Sequence, residues 1–199
     1  MILYGASGHG KVVADCIMAN NLKIRHIFDD NPEINIFLNI KVTTYDSNCY
    51  SDEALIISIG DNSDRLIVSR KVQHRFGIII HPSAIVAKAI AIGEGTVILH
   101  NSVVQIGTRI GRHCIFNTAS TVDHECIIGD YVHISPNATL CGNVAIGEGT
   151  HIGASSVILP GVSIGEWTVI GAGSVIKDNI PDRVVVVGNP GRIIKKNIL

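Results

Sequence analysis

Charge is scarce in this chain of 199 residues, and neither sign dominates. Charged residues make up 17%, against roughly 25% in ordinary soluble domains. The net charge is −1 and no run of Lys or Arg occurs. The basic footprint that a nucleic acid or an anionic membrane surface requires is therefore missing. Also missing are an unbroken apolar stretch of about eighteen residues and a basic leader with a small-residue cleavage site. A soluble, cytoplasmic protein is the expectation. Aromatics amount to only 5%, which suits a narrow interior filled by aliphatics and hydroxyls. Cys16, Cys49, Cys114, Cys126 and Cys141 form neither an even framework nor a C-x-x-C pair, so free thiols are expected. The length leaves room for one large domain or two small ones.

What the chain does have is a repeat. From residue 80 to 176 every sixth position is large and apolar, beginning Ile80, Val86, Ile92, Ile98, Val104, Ile110 and Phe116 and ending Ile164, Ile170 and Ile176. A second column, four places after each of these, holds mostly small residues such as Ser102, Thr108, Cys114, Ser120, Cys126 and Ala138. Neither a helix of period 3.6 nor a strand of period 2 produces this pattern. Gly93, Gly111, Gly129, Gly147 and Gly165 add a longer period of 18, each preceded by Ile. Three hexads thus make one turn, and the chain predicts a triangular solenoid of short parallel strands with the aliphatics inside. Successive coils should be spaced by about 4.8 Å.

Residues 1–79 follow other rules. Short apolar strands are predicted at 2–4, 24–28, 54–59 and 77–80, with helices at 11–20 and 64–75, which makes a small α/β sheet. The first strand runs into Gly5-Ala6-Ser7-Gly8-His9-Gly10. Bare backbone N–H groups there, at the positive end of a helix, suit a diphosphate. Asp29 and Asp30 end the second strand, where a carboxylate can meet a ribose hydroxyl, and Gly60 ends the third at the same sheet edge. The glycine spacing is G-x-x-G-x-G, and the sheet is half a doubly wound domain. A mononucleotide or nucleotide sugar fits it better than a dinucleotide.

Within the solenoid, His100, His113, His124, His133 and His151 all lie outside the aliphatic column, so they are expected on the outer surface or at corners. His124 stands in Asp123-His124-Glu125. A carboxylate beside an imidazole orients it and stabilises the imidazolium that forms when it takes a proton. One coil further on is Gly142, whose backbone N–H is a candidate oxyanion donor. His133 and His151 are also one coil apart and raise the question of zinc. No two histidines lie within five residues of each other and no Cys pair is near, so no metal is expected.

The hexads, the Gly5–Gly10 opening, Asp29-Asp30, the Asp123-His124-Glu125-Cys126-Ile127-Ile128-Gly129 run and the Val187-Gly188-Asn189-Pro190 tail together resemble the sugar acyltransferases of the NeuD/PglD family. The resemblance covers nearly the whole chain. It implies a half-Rossmann-like nucleotide-sugar-binding domain (residues 1–79) followed by a left-handed parallel β-helix (residues 80–199), a homotrimer, and acetyl-CoA as donor. It further implies His124 as general base, with Glu125 raising its basicity. Ser7, Gly8, His9, Asp29, Asp30 and Gly60 would meet the nucleotide sugar, and His133, Ala154 and Ala172 the acetyl-CoA. The activity implied is N-acetylation of a UDP-4-amino-sugar by direct transfer in a ternary complex. A sugar O-acetyltransferase of the sialic-acid type, a GDP- or dTDP-amino-sugar enzyme and a non-catalytic nucleotide-sugar-binding trimer remain as alternatives.

Overall fold

A computed structural model describes residues 1–198. Its N-terminal part is a five-stranded sheet in the order β3-β4-β2-β1-β5. These strands are β1 (Ile2–Tyr4), β2 (His26–Phe28), β3 (Ile36–Phe37), β4 (Ile40–Thr43) and β5 (Leu55–Ile57). β1 lies between β2 and β5, parallel to both. Helix α1 (Gly8–Ala19) starts three residues before the predicted span, because Ser7 is already extended and lets the helix begin inside the glycine loop. Helix α2 (Asn62–Lys71) is displaced toward the N-terminus of its predicted span. The Asp61 carboxylate fixes its start by accepting from the N–H groups of Ser63 and Asp64 at 2.9 and 3.0 Å, the usual service of an N-cap acid.

The β3–β4 hairpin is a feature the sequence pattern did not predict. Leu38 and Asn39 both take positive φ, 51° and 61°, so two residues turn the chain in the manner of a primed hairpin turn. Ile36 then pairs with Lys41 and Phe37 with Ile40.

From Ile79 onward the chain is a parallel β-solenoid with three faces. The first face stacks Ile79–Ile80, Val97–Ile98, Ile115–Phe116, His133–Ile134, His151–Ile152 and Val169–Ile170. The second stacks Ile85–Val86, Val103–Val104, Thr121–Val122, Thr139–Leu140, Val157–Ile158 and Val175–Ile176. The third begins at Ala91–Ile92 and reaches Ser163–Ile164. The sixth-residue column points inward and forms one continuous core from Ile98 to Ile176. Each buried isoleucine of that column contributes about 2 kcal/mol. The small column fills the corners, where its polar atoms are satisfied locally. Thr108 Oγ1 donates to Asp123 O at 3.0 Å and Ser102 Oγ to Asn117 O at 2.8 Å. Cys114 and Cys126 are buried free thiols, as their column predicts.

The N-terminal domain sits on the first face. Leu3, Val13, Ile17 and Ile56 share a buried cluster with Ile79, Val97, Leu99 and Ile115. Arg65 on α2 is completely buried at this seam. Its Nε donates to His113 O at 2.8 Å, and its Nη2 donates to Tyr131 O at 2.8 Å and Asn62 Oδ1 at 2.7 Å. Its Nη1 reaches the carbonyls of Ile59, Gly60 and Asp61. One guanidinium thereby bridges both domains, almost entirely through backbone carbonyls. His113 and His133 depart from the expected outward exposure. They lie outside the prism, yet the seam buries them to 3% and 8% relative exposure. Among the described residues no helix is long and apolar enough to cross a membrane.

Candidate active site

His124 occupies the turn between Thr121–Val122 on the second face and Ile127–Ile128 on the third. The turn is held from three sides. Asp123 Oδ1 accepts the His124 N–H at 2.8 Å. The Glu125 N–H donates down one coil to Ile106 O at 3.0 Å, and His124 O accepts from Asn143 N–H one coil up at 2.9 Å. Glu125 adopts a φ of 60°, and its Oε2 comes to 3.4 Å from His124 Nδ1. With a carboxylate on Nδ1, the ring presents Nε2 to the next coil. That coil carries Gly142, against which the ring lies so closely that a Cβ there would meet Nε2 at 2.5 Å. Among the described residues the Gly142 N–H has no backbone acceptor. An open groove lined by Asp123, His124, Cys141, Gly142, Asn143, Pro160 and Gly161 runs upward from here. His124, with the Glu125 carboxylate near its Nδ1, and Gly142, whose N–H has no backbone acceptor among the described residues, thus line one groove, the combination that general-base acyl transfer needs.

The second region lies at the C-terminal ends of β1, β2 and β5, where Tyr4, Asp29, Asp30, Ile59, Asp64 and Val68 line a crevice. Asp29 closes the glycine loop by accepting the Ala6 N–H at 2.6 Å and the Asn31 N–H at 2.8 Å. Asp30 receives Lys71 Nζ on both oxygens at 2.8 Å and Tyr4 OH at 2.8 Å. Burial raises the Asp30 pKa, but the Lys71 and Tyr4 hydrogen bonds and the Lys71 charge outweigh it and hold the carboxyl below its usual range. Burial pushes the Tyr4 hydroxyl up to about 12. A carboxylate has about four lone-pair sites, so both aspartates keep some free for hydroxyl donors. Ser7 and Gly8 remain exposed at the start of α1, and a Cβ on Gly8 would meet nothing within 4 Å.

His9 and Gly60 belong to a different neighbourhood from the aspartates. They meet His133 across the domain seam, with the His9 and His133 rings 6.2 Å apart and His133 Nδ1 3.2 Å from Gly60 O. Asn117 Nδ2 lies 3.1 Å from His133 Nε2. Nδ1 therefore donates to the carbonyl and Nε2 accepts from the amide. Burial, reinforced by the Arg65 charge, lowers the His9 pKa to about 4, and burial with the charges of His151, Arg65 and His9 lowers that of His133 well below the ordinary imidazole range. Ala154 and Ala172 stack one coil apart, Gly173 N–H donating to Ala154 O at 2.8 Å, on the corner between the first and second faces. His124 lies on the corner between the second and third. One chain therefore holds His124 and its two alanines on opposite edges of the second face.

Three residues at these sites escape a reading of the sequence: Arg65, Asn117 and Lys71. Arg65 and Lys71 read as the solvent side of an amphipathic helix, and Asn117 reads as a turn residue. Asp15, His81 and His100 bring their metal-ligating atoms within 4.8 Å of one another. Here His100 Nε2 is joined to Asp15 at 2.8 Å and His81 Nδ1 accepts the Ser83 N–H at 3.1 Å, so the group ties α1 to the first coils.

Residues 1–72 match the PglD N-terminal domain family, and residues 143–178 match the bacterial transferase hexapeptide (six repeats) family. The acetyltransferase domain of PglB from Neisseria gonorrhoeae FA1090 is 33% identical, with a TM-score of 0.90 over 97% of this chain and 98% of that one. This chain belongs to the PglD/NeuD-type sugar acetyltransferases. A second similar structure, PerB from Caulobacter crescentus, was solved in complex with CoA and GDP-perosamine. It is 32% identical, with a TM-score of 0.92, over 97% of this chain and 96% of its own. The UDP-N-acetylbacillosamine N-acetyltransferase of Bacillus subtilis (strain 168) is 39% identical over 109 residues. The match spans about half the length of that curated relative, 50%, and 49% of this chain. The PglD/NeuD-type architecture, an α/β domain followed by a parallel solenoid of hexapeptide repeats, is the one described above.

Proposed function

We propose that the chain is an acetyl-CoA-dependent N-acetyltransferase that acetylates the amino group of a nucleotide-linked amino sugar, a UDP-4-amino-4,6-dideoxyhexose in the first instance, for bacterial glycan biosynthesis. The observation that carries this reading is His124, oriented by Glu125 and laid against Gly142 in an open groove. The sugar amine attacks the thioester carbonyl carbon, and its proton passes to His124 Nε2. The Gly142 N–H donates to the oxyanion. Collapse of the tetrahedral intermediate breaks the C–S bond, and His124 returns the proton to the departing CoA sulfur. A base of this kind is worth about 10²–10⁴ in rate. Asp29 and Asp30 receive the ribose hydroxyls, while Ser7 and Gly8 offer the start of α1 to the diphosphate.

The same reading includes a cytoplasmic homotrimer with its coil wound left-handed, as the family resemblance implies. Two features support the trimer. The second face carries the apolar or methyl-bearing row Ile85, Val103, Thr121, Thr139, Val157 and Val175, of which Ile85 is exposed and the others half-buried, the type of surface that threefold packing covers. The N-terminal domain rides on the first face, across the prism from the His124 corner. A sugar held in the crevice of one chain would be delivered to His124 of a neighbour, and CoA would lie against that neighbour's groove and the Ala154–Ala172 edge. PerB binds a GDP-linked sugar, so the base is the open variable. The deciding assay measures CoA release from acetyl-CoA with UDP-, GDP- and dTDP-linked 4-amino sugars. Release with a 3-amino sugar or a sugar hydroxyl, and with none of the 4-amino set, would overturn the reading.

A further inference from the structure

Coil by coil, the corner that carries the catalytic turn presents Lys88, Ile106, His124, Gly142 and Pro160. Ile106 is 68% exposed, although it is a large aliphatic residue directly one rung below the base. Its carbonyl accepts the Glu125 N–H, so its position is locked to the His124–Glu125 pair. The groove lined by Cys141, Gly142, Pro160 and Gly161 lies on the other side of His124, toward higher coils. The two sides of the imidazole thus differ, a groove of glycine backbone and the Pro160 ring above and one exposed aliphatic side chain below.

We infer that Ile106 is the specificity-determining wall for the acceptor sugar, and that it contacts the methyl carbon C6 of a 6-deoxy amino sugar. The inference rests on the function proposed above and deepens it. If the thioester carbonyl lies over the Gly142 N–H, the acyl donor fills the upper groove and the acceptor must approach the base from below. An amine on C4 that reaches His124 Nε2 past the open edge of the ring leaves the neighbouring ring carbon C5, and the C6 it carries, below it, within the rung spacing of about 4.8 Å that separates His124 from Ile106. A methyl group there buries apolar surface against Ile106, whereas a hydroxymethyl group would lose solvation at its hydroxyl with no partner in return.

The test compares kcat/KM for a 4-amino-4,6-dideoxy sugar and its 6-hydroxy counterpart on the same nucleotide, in the full-length wild type, Ile106→Val and Ile106→Ser. The wild type and Ile106→Val are expected to favour the 6-deoxy acceptor by about 10- to 100-fold, the span one apolar contact supplies. Ile106→Ser should bring the ratio to within about threefold, chiefly by losing rate on the 6-deoxy substrate, with KM for acetyl-CoA unchanged. A ratio that survives in Ile106→Ser overturns the proposal. So does a parallel loss on both sugars with a weakened oligomer in sedimentation, which would make Ile106 a packing residue between chains. Wild-type protein that acetylates neither sugar would instead sink the proposed function, and this inference with it.

Discussion

Gly142 presents its missing Cβ to His124 Nε2 at 2.5 Å, closer than any side chain could come. The imidazole therefore keeps its place only while residue 142 has no side chain. Gly142→Ala should push the imidazole off its seat and lower kcat about a hundredfold, the usual cost of a misplacement near 1 Å. Thermal unfolding should stay close to wild type, because the displaced ring is half-exposed. Unchanged turnover in Gly142→Ala would mean that the ring works from another rotamer.

Removing the imidazole itself separates chemistry from structure. His124→Ala is expected to lower kcat by about 10²–10⁴ with oligomeric state and melting temperature nearly unaltered. Turnover within about threefold of wild type would assign the proton to solvent or another group.

The crevice and the groove should come apart in binding. Asp29→Ala and Asp30→Ala are expected to weaken the nucleotide sugar while leaving acetyl-CoA affinity as it was. Loss of the Asp30–Lys71 pair should itself cost under about 1 kcal/mol of stability, since both partners are half-exposed. Calorimetry with each ligand alone checks this, and equal loss of both would make the aspartates structural.

Much of the architecture is legible in the residue pattern itself. Hexads report the solenoid because only a triangular coil puts every sixth residue inside, and the 18-residue period stacks Gly142 over His124 by arithmetic. The β3–β4 hairpin escaped because its strands are two and four residues long and its Leu38-Asn39 turn lacks the usual glycine. His133 escaped for another reason. The repeat puts it outside the prism correctly, but its burial is set by Gly60 and Asn117, contacts between distant segments that no local pattern records. Arg65 is the same case in a helix.

The buried histidines predict how stability follows pH. His9 and His113 are held neutral, their pKa lowered to about 4 by burial and the Arg65 charge, and burial lowers His133 and His151 too. In the unfolded chain each would protonate near 6.5. Stability should therefore be full above pH 6.5 and fall as the pH drops toward about 4, because the unfolded state binds the extra protons. A melting temperature flat between pH 7.5 and 4.5 would contradict it. His113→Phe, placed between Phe76 at 4.4 Å and Tyr131 at 5.2 Å, should make the slope shallower.

Subunit mixing tests whether the site is shared between chains. If the protein is the proposed trimer, His124→Ala chains exchanged with Ala172→Trp chains should regain part of the activity that each variant alone lacks, since some interfaces then carry neither lesion. No recovery after verified exchange would put base and CoA wall in one chain.

The rungs of the solenoid also act as a measuring scale. The chain enters the prism at Ile79–Ile80, and Asp123–His124 stands a fixed number of coils above that entry. Because the N-terminal domain also docks on the coils of His113 and Tyr131, its height against His124 is set in whole rungs, and moving that dock by one coil would shift His124 about 4.8 Å along the axis relative to the crevice. In such a scaffold the reach between nucleotide and reacting amine is altered in whole steps by coil number, and only the fine fit is left to point substitutions.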